Sequence, residues 1–137
     1  MELKDIALKQ LRSAAKLYNS FDYISSITLS GAAEEILGQI AKSRTGKNHL
    51  EYQADYLKNA YDFLTGRNIA KRDIINQLNL TKNRLKHNDA GENLWIEADF
   101  ENEACSLFVR AVKNYFDSYN EMPKDRIINN LFDDLTL

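Results

Sequence analysis

The sequence contains little of what forms disulfides, zinc sites or membrane spans. Its 137 residues include one cysteine, Cys105, and two histidines, which is too few for an internal disulfide or a cysteine-rich zinc module. No apolar run approaches the roughly 18 residues that cross a bilayer. The N-terminal MELKDIALKQ carries charges throughout, unlike a secretory signal. We therefore expect a cytoplasmic protein outside the membrane, and we predict neither a metal site nor another cofactor.

Proline and glycine, which interrupt helices, are also scarce. The chain has one proline, Pro123, and five glycines, so long helices can form without interruption. Apolar residues recur at spacings of three and four, and no segment alternates with a period of two. The pattern predicts an all-α fold. At this length a single domain, residues 1–137, is expected.

The apolar stripes and the capping residues predict where the helices begin and end. Helices are expected at about 3–19, from Asp22 to the region 43–46, at about 51–64, 70–86 and 100–119, and at 124–135 after Pro123. Asp22 and Asp99 are suitable N-caps, and Gly66 stands where a C-terminal glycine cap belongs. The inward stripe predicted for the third helix is Tyr52, Tyr56, Leu57, Ala60, Tyr61 and Leu64. We predict an antiparallel up-and-down bundle of four long helices with short extra helices.

The second predicted helix contains a run of small residues followed by two carboxylates. Residues 30–33 are Ser-Gly-Ala-Ala, which let another backbone approach closely. Glu34 or Glu35 must lie near the inward edge of the helix, and a part-buried carboxylate needs a partner. A structural ion pair is the favoured interpretation, and a carboxylate that serves the same site as His87 is the alternative.

The net charge of −2 conceals an uneven distribution. Residues 67–87 hold six basic residues and one acidic residue, whereas residues 88–137 hold 4 basic and 11 acidic residues. A basic segment in an acidic protein is typical of a solvated helix face. It could also attract one phosphate group or a short nucleic-acid strand.

The fourth predicted helix carries two different stripes. On a helical wheel, the core face consists of Ile74, Leu78, Thr81 and Leu85. The opposite face carries Asn76, Leu80, Asn83 and His87. A purely solvated face is usually richer in lysine and glutamate, so we predict that this second stripe contacts something. The candidates are a second subunit, a phosphate, or another helix of the same bundle.

The segment NRLKHND, residues 83–89, is the candidate site. His87 could act as a general acid or base, and Asn83 or Asp89 could orient its ring. Lys86, Arg84 and Lys82 could bind a phosphate. The structural alternative is a histidine at a helix C-terminus, where its ring interacts with the helix dipole and with free carbonyls.

Three other residues, His49, Cys105 and Trp95, have side chains that could take part in metal binding, nucleophilic chemistry or an interface. His49 is placed in a loop without the further ligands that a metal needs. Cys105 lies near the buried stripe of the fifth predicted helix, so we interpret it as a small core residue. Trp95 is expected to pack the loop over the bundle, and the alternative is an interface anchor.

Two segments together resemble a group of small, functionally uncharacterised bacterial proteins. They are YISSITLSGAAEEILG, residues 23–38, and NRLKHND, residues 83–89, followed by FENEA at 100–104 and Arg110-Ala111. More distantly, the arrangement resembles the HEPN superfamily. That resemblance implies an up-and-down four-helix bundle that is often dimeric. It also implies either ribonuclease activity or non-catalytic binding of nucleotides or partner proteins.

The ribonuclease signature of that superfamily is only partly present. Catalytic members have an arginine, a short polar spacer and a histidine at a dimer cleft, and His87 matches the histidine. Thr81 and Lys82 stand where the arginine belongs, and Arg84 is only three residues before His87. Lysine could replace the charge of arginine but not its bidentate geometry.

Two functional hypotheses follow from these observations. The favoured one is a homodimeric, non-catalytic interaction or regulatory module, whose interface residues are Asn76, Leu80, Asn83 and His87. The alternative is a metal-independent ribonuclease or nucleotide-binding protein. In that alternative His87 and Asn83 are catalytic, and Lys86, Arg84 and Lys82 bind phosphate.

Overall fold

The computed structural model describes residues 1–87 and 94–137, and within these ranges the chain forms seven α-helices and no strand. The helices are α1 (Leu3–Asn19), α2 (Tyr23–Thr45), α3 (His49–Thr65), α4 (Lys71–Leu78), α5 (Leu80–Lys86), α6 (Phe100–Tyr119) and α7 (Arg126–Thr136). The predicted all-α class is confirmed. None of the helices in the described ranges is long and apolar enough to cross a membrane. The predicted loop at 88–93, and Asp89 with it, lies outside the described residues.

Helices α2 and α6 pack along each other at the centre, and α1 covers α2. The main core is rich in alanine, which allows close approach of the helices, and it is closed by two residues of α7. It consists of Ala7, Leu11, Ala14, Ala15, Ala33, Leu37, Phe108, Ala111, Val112, Tyr115, Ile128 and Leu131. A smaller cluster of Ile27, Ala104 and Leu107 receives Leu85 from α5. The four-helix, up-and-down arrangement remains a prediction.

The predicted caps are present at three helix ends. Asp22 accepts a hydrogen bond from the Ser25 N–H at 3.1 Å, and Asp99 accepts one from the Asn102 N–H at 3.0 Å. Gly66 ends α3 in the left-handed conformation, with φ of 66°. Asn48 caps the start of α3, so His49 lies in a helix and not in the predicted loop.

The predicted fourth helix is divided at Asn79. This residue has φ of −96° and ψ of 0° and ends α4 while it begins α5. The break lets the two halves pack in different places, α4 on α3 and α5 on α2. The residues of the predicted core face are separated by this break. Ile74 and Leu78 are half-buried beside α3, whereas Thr81, in α5, is buried.

The prediction for the inward face of α3 is wrong. Its only buried residue is Ala54. The predicted inward stripe is exposed at five of its six positions, with exposed fractions of 47% for Tyr52, 75% for Tyr56, 37% for Leu57, 43% for Tyr61 and 79% for Leu64. The reason is that α1, α2, α6 and α7 already enclose the main core, so this stripe finds no core to enter within one chain.

Candidate functional site

The predicted site at the end of α5 is exposed to solvent. His87 ends the helix, and its backbone N–H donates to the carbonyl oxygen of Asn83 at 2.7 Å. The side chains of Asn83, Lys86 and His87 are exposed. The other members of the predicted interface stripe, Asn76 and Leu80, are exposed as well. The four residues therefore lie on the surface, and their role as an interface remains a prediction.

Lys82 is not part of that exposed group. Only 6% of it is exposed, and its Nζ lies 3.5 Å from Glu34 Oε2 and 3.1 Å from Glu35 Oε1. These contacts confirm the structural ion pair predicted for the carboxylates of α2. They also withdraw Lys82 from the predicted phosphate-binding set, because its charge is compensated and its ammonium is shielded from solvent.

Gly31 makes room for the Lys82 side chain. A Cβ added at Gly31 would lie 2.7 Å from Lys82 Cδ and 2.8 Å from its Cγ. The run of small residues in α2 thus accommodates the stem of a lysine at this position, where close approach of another backbone was predicted. Lys82 can therefore cross the helix surface and reach both glutamates.

The other predicted phosphate ligands also contact the protein. Lys86 Nζ lies 3.4 Å from Glu35 Oε2, and Arg84 donates to the carbonyl oxygen of Trp95 at 3.3 Å. Trp95 itself is 84% exposed. The expectation that its ring packs over the bundle is therefore wrong, since a packed indole would be largely covered.

Arg110 of α6 extends the buried ion cluster beyond α2 and α5. Its Nε lies 3.5 Å from Glu34 Oε1, and its Nη1 donates to Gln53 Oε1 of α3 at 3.1 Å. Only 6% of Arg110 is exposed, and its Nε and Nη2 have no hydrogen-bond partner among residues 1–87 and 94–137. Sequence reasoning assigned Arg110 no role, although its position between Leu107 and Ala111 on the apolar stripe of α6 was a signal of burial.

Three cations and two carboxylates meet in this cluster. We define the ion cluster as Glu34, Glu35, Lys82, Lys86 and Arg110. Burial acts to raise the pKa of Glu35, but hydrogen bonding and the charge of Lys82, and then Lys86, lower it below the ordinary value. Glu35 is therefore ionised at neutral pH, so the arrangement has the character of a structural salt-bridge network.

A cavity of about 610 Å³ lies between α3, α6 and α7. Its walls are formed by His49, Tyr52, Gln53, Tyr56, Cys105, Ser106, Val109, Arg110, Lys113, Leu135 and Thr136. His49 Nε2 is hydrogen-bonded to Asp117 Oδ2 at 2.6 Å. Cys105 is half-buried at the wall of this cavity and not in the core as predicted. Burial raises the pKa of its thiol, which disfavours a nucleophilic thiolate.

A second depression lies between α3 and α4 and is almost wholly apolar. It measures about 340 Å³ and is lined by Leu57, Tyr61, Ile69, Asp73, Ile74, Gln77 and Leu78. The charged side chains of α3 point to other partners. Asp55 pairs with Lys47 and Lys71, and Lys58 donates to Asp62 at 2.6 Å.

In the described ranges no group of three or more histidine, cysteine, aspartate or glutamate side chains could hold a metal ion.

Comparisons with protein-family models, with curated proteins and with solved structures found no match to this chain. The resemblance to the HEPN superfamily therefore stays a prediction.

Proposed function

We propose that this protein is a non-catalytic interaction module that forms a homodimer through the apolar face of α3 and α4. We define this α3–α4 face as Leu57, Tyr61, Leu64, Ile69, Ile74 and Leu78. The observation that carries the proposal is the orientation of α3. Leu64 is 79% exposed and Tyr61 is 43% exposed, although the spacing of the apolar residues along this helix is that of a buried face.

The charged side of α3 is more covered than its apolar side. The side chains of Asp55, Lys58 and Asp62 are only 27–31% exposed, because they form ion pairs within the chain. A surface helix of a monomeric protein normally presents the opposite arrangement, with its charges in water and its apolar stripe on the core. The inverted orientation is expected when another molecule covers the apolar stripe.

The size of the face supports a second copy of the chain as that molecule. Large side chains have about 150–250 Å² of surface, so Leu57, Tyr61 and Leu64 together expose on the order of 300 Å². Two such faces, with the half-buried residues of the groove, stay below the roughly 1,000 Å² of a stable specific interface and match the small area of a transient one. A reversible dimer is the appropriate expectation for this area.

The charges around the face favour a two-fold arrangement. Asp73 lines the groove and is exposed. Arg67, between α3 and α4, and Arg72, at the start of α4, are also exposed. In an isologous dimer each residue of one copy meets the reciprocal residue of the other. A face that carries both signs can therefore pair its arginines with the aspartate of the second copy.

The alternative, a ribonuclease or nucleotide-binding protein that uses residues 83–87, has less support. Exposure of His87 and Asn83 is compatible with it. However, Lys82 is buried in the ion cluster and Lys86 contacts Glu35. A phosphate at this site would have to compete with those carboxylates for its cations.

Light scattering after size-exclusion chromatography tests the proposal. The chain has a mass of 15.8 kDa, and we expect wild type to approach twice that mass as its concentration rises. Leu57→Asp and Leu64→Asp place a charge in the proposed interface and should give the monomer mass at all concentrations. Leu80→Asp is the matched control, because Leu80 is also an exposed leucine, at 50%, but lies on the earlier predicted stripe.

The outcomes separate the two surfaces. Dissociation by Leu64→Asp with an intact Leu80→Asp dimer supports the α3–α4 face. The reverse result supports the stripe of Asn76, Leu80, Asn83 and His87 and rejects the face proposed here. A wild-type monomer at every concentration rejects self-association altogether. Circular dichroism of each variant establishes that the helices are intact.

A further inference from the structure

We infer that the cavity between α3, α6 and α7 binds a small anionic molecule that carries an aromatic ring. The inference goes beyond dimerisation and uses different residues. The cations come from α6, as Arg110 and Lys113, and the aromatic surface comes from the first half of α3, as Tyr52 and Tyr56. Neither tyrosine belongs to the α3–α4 face.

The charged side chains that line the cavity are basic, although the wall residue His49 is hydrogen-bonded to the carboxylate of Asp117. The lining residues include Arg110 and Lys113 but neither aspartate nor glutamate in the described part of the chain. Lys113 is exposed and forms no ion pair within the described ranges. It lies one turn of α6 after Arg110, so both side chains can approach one ligand group from the same side.

Arg110 has more donors than the protein satisfies. Its Nη1 donates to Gln53, whereas its Nε lies 3.5 Å from Glu34 Oε1 without a hydrogen bond, and its buried Nη2 has no acceptor among the described residues. Unsatisfied buried donors are costly and uncommon. An anion in the adjoining cavity would supply acceptors if the Gln53 side chain moved aside.

The carboxylates near Arg110 leave its charge only partly compensated. Glu34 lies 3.5 Å from Arg110, but the same carboxylate also lies 3.5 Å from Lys82. Glu103, two turns before Arg110 on α6, forms no ion pair with it in the described ranges. Burial raises the pKa of Glu103, and the charge of Arg110 offsets this only in part. Lys82 has Glu35 as a second partner, but the cluster as a whole still holds three cations and only two carboxylates.

The aromatic part of the inference follows from the opposite wall. Tyr52 and Tyr56 are one turn apart on α3, with 47% and 75% of their surface exposed. The rings of His49 and Tyr52 lie 5.6 Å apart with their planes inclined at 55°, and Tyr56 offers a further aromatic ring for edge or face contact with a planar group. The volume of about 610 Å³ is within the usual range for small-molecule sites.

Both phosphate and carboxylate groups satisfy this chemistry, since each accepts several hydrogen bonds from arginine and lysine. The probes are phenyl phosphate, benzoate and inorganic phosphate, titrated into ¹⁵N-labelled protein and followed by NMR. We expect saturable shifts in α3 and α6 with phenyl phosphate or benzoate, and weaker binding of inorganic phosphate. The tighter of the two aromatic probes identifies the anionic group.

Variants test the assigned residues without removing the buried arginine. Lys113→Ala should weaken binding of the tighter probe about tenfold, as loss of a charge-assisted hydrogen bond would. Tyr56→Ala should weaken both aromatic probes and leave inorganic phosphate unchanged. Lys124→Ala, also an exposed lysine, is the matched control and should bind normally. Cys105 provides a second readout, because a bound ligand should slow its alkylation.

Three results would overturn the inference. The first is the absence of saturable binding of either aromatic probe at millimolar concentration. The second is binding that Lys113→Ala and Tyr56→Ala both leave unchanged. The third is inorganic phosphate binding as tightly as phenyl phosphate, since the tyrosines would then contribute nothing. The dimer mass of each variant, measured by light scattering, keeps this test independent of the proposed interface.

Discussion

At the scale of single residues, Phe21 occupies a position that normally belongs to glycine. It follows α1 with φ of 64°. The N–H of Phe21 donates to the carbonyl of Tyr18, and that of Asp22 donates to the carbonyl of Leu17. These two bonds define a Schellman motif, in which glycine is preferred at the left-handed residue. Phe21 is 78% exposed, so little packing compensates for its conformation.

We expect Phe21→Gly to increase the free energy of unfolding by about 1 kcal/mol, because a left-handed conformation costs a residue with a Cβ roughly that amount. Urea denaturation followed by circular dichroism measures the change. Gly46→Ala is the reverse control. Gly46 has φ of 89° and free space around an added Cβ, so its substitution tests backbone strain alone and should destabilise. A Phe21→Gly variant that is less stable than wild type would show that the phenyl ring contributes more than the strain costs.

At the scale of the elements, the buried lysine of α5 connects that helix to α2. Lys82 and Lys86 both contact Glu35, but their side chains are 7% and 49% exposed. Removal of one partner from a buried ion pair costs about 3–5 kcal/mol, whereas an exposed pair contributes about 1 kcal/mol or less. The two lysines therefore form a matched pair for measuring the effect of burial.

Lys82→Met keeps the stem over Gly31 and removes the charge. We expect it to lower the free energy of unfolding by about 3 kcal/mol, the low end of the range because Glu34 retains Arg110. Lys86→Met should cost less than about 1 kcal/mol. Chemical denaturation at neutral pH compares them. Equal losses in the two variants would contradict the special role of the buried ammonium.

The attachment of α3 should depend on pH. Hydrogen bonds from Lys47 and then Lys71 lower the pKa of Asp55, and a hydrogen bond from Lys58 and the backbone N–H of Ile69 lower that of Asp62. A carboxyl whose folded pKa is depressed stabilises the fold above its unfolded pKa of about 4. That contribution is lost as the pH falls through the lower folded value.

The melting temperature of Asp55→Asn should therefore change less between pH 7 and pH 3 than that of wild type. The variant should melt lower than wild type at pH 7, and this gap should shrink towards pH 3, because the contribution of Asp55 is lost as its carboxyl becomes protonated in the folded state. Thermal denaturation followed by circular dichroism makes the comparison. A constant gap at both pH values would mean that the ion pairs of Asp55 contribute no stability.

At the scale of the whole molecule, the sequence predicted local features better than tertiary partners. Asp22, Asp99 and Gly66 were identified correctly as caps because capping depends on residues a few positions apart. The prediction that the apolar stripe of α3 faces inward was wrong, because periodicity cannot say whether a stripe packs within the chain or against another molecule. For the same reason the pairing of Lys82 with Glu34, 48 positions apart, could not be predicted.

The structure combines a tightly packed centre, formed by α2 and α6, with two less buried helices, α3 and α4. This difference predicts unequal stability across the molecule. Helices α2 and α6 each contain nine buried residues, whereas α3 has one and α4 has none. Elements with few buried contacts open at lower free energy than the core. In the monomeric Leu64→Asp variant we expect the backbone amides of α3 and α4 to exchange with deuterium faster than those of α2 and α6.

In wild type the exchange of α3 and α4 should slow as protein concentration rises, because dimerisation stabilises the state that it binds. The amides of α1 should not follow that concentration dependence until global unfolding limits them. Hydrogen–deuterium exchange measured by mass spectrometry at several concentrations resolves the helices separately. Equal protection of α3 and α6 in the monomer would contradict the expected difference in stability. Exchange in α3 that does not change with protein concentration would contradict a dimer that forms through α3.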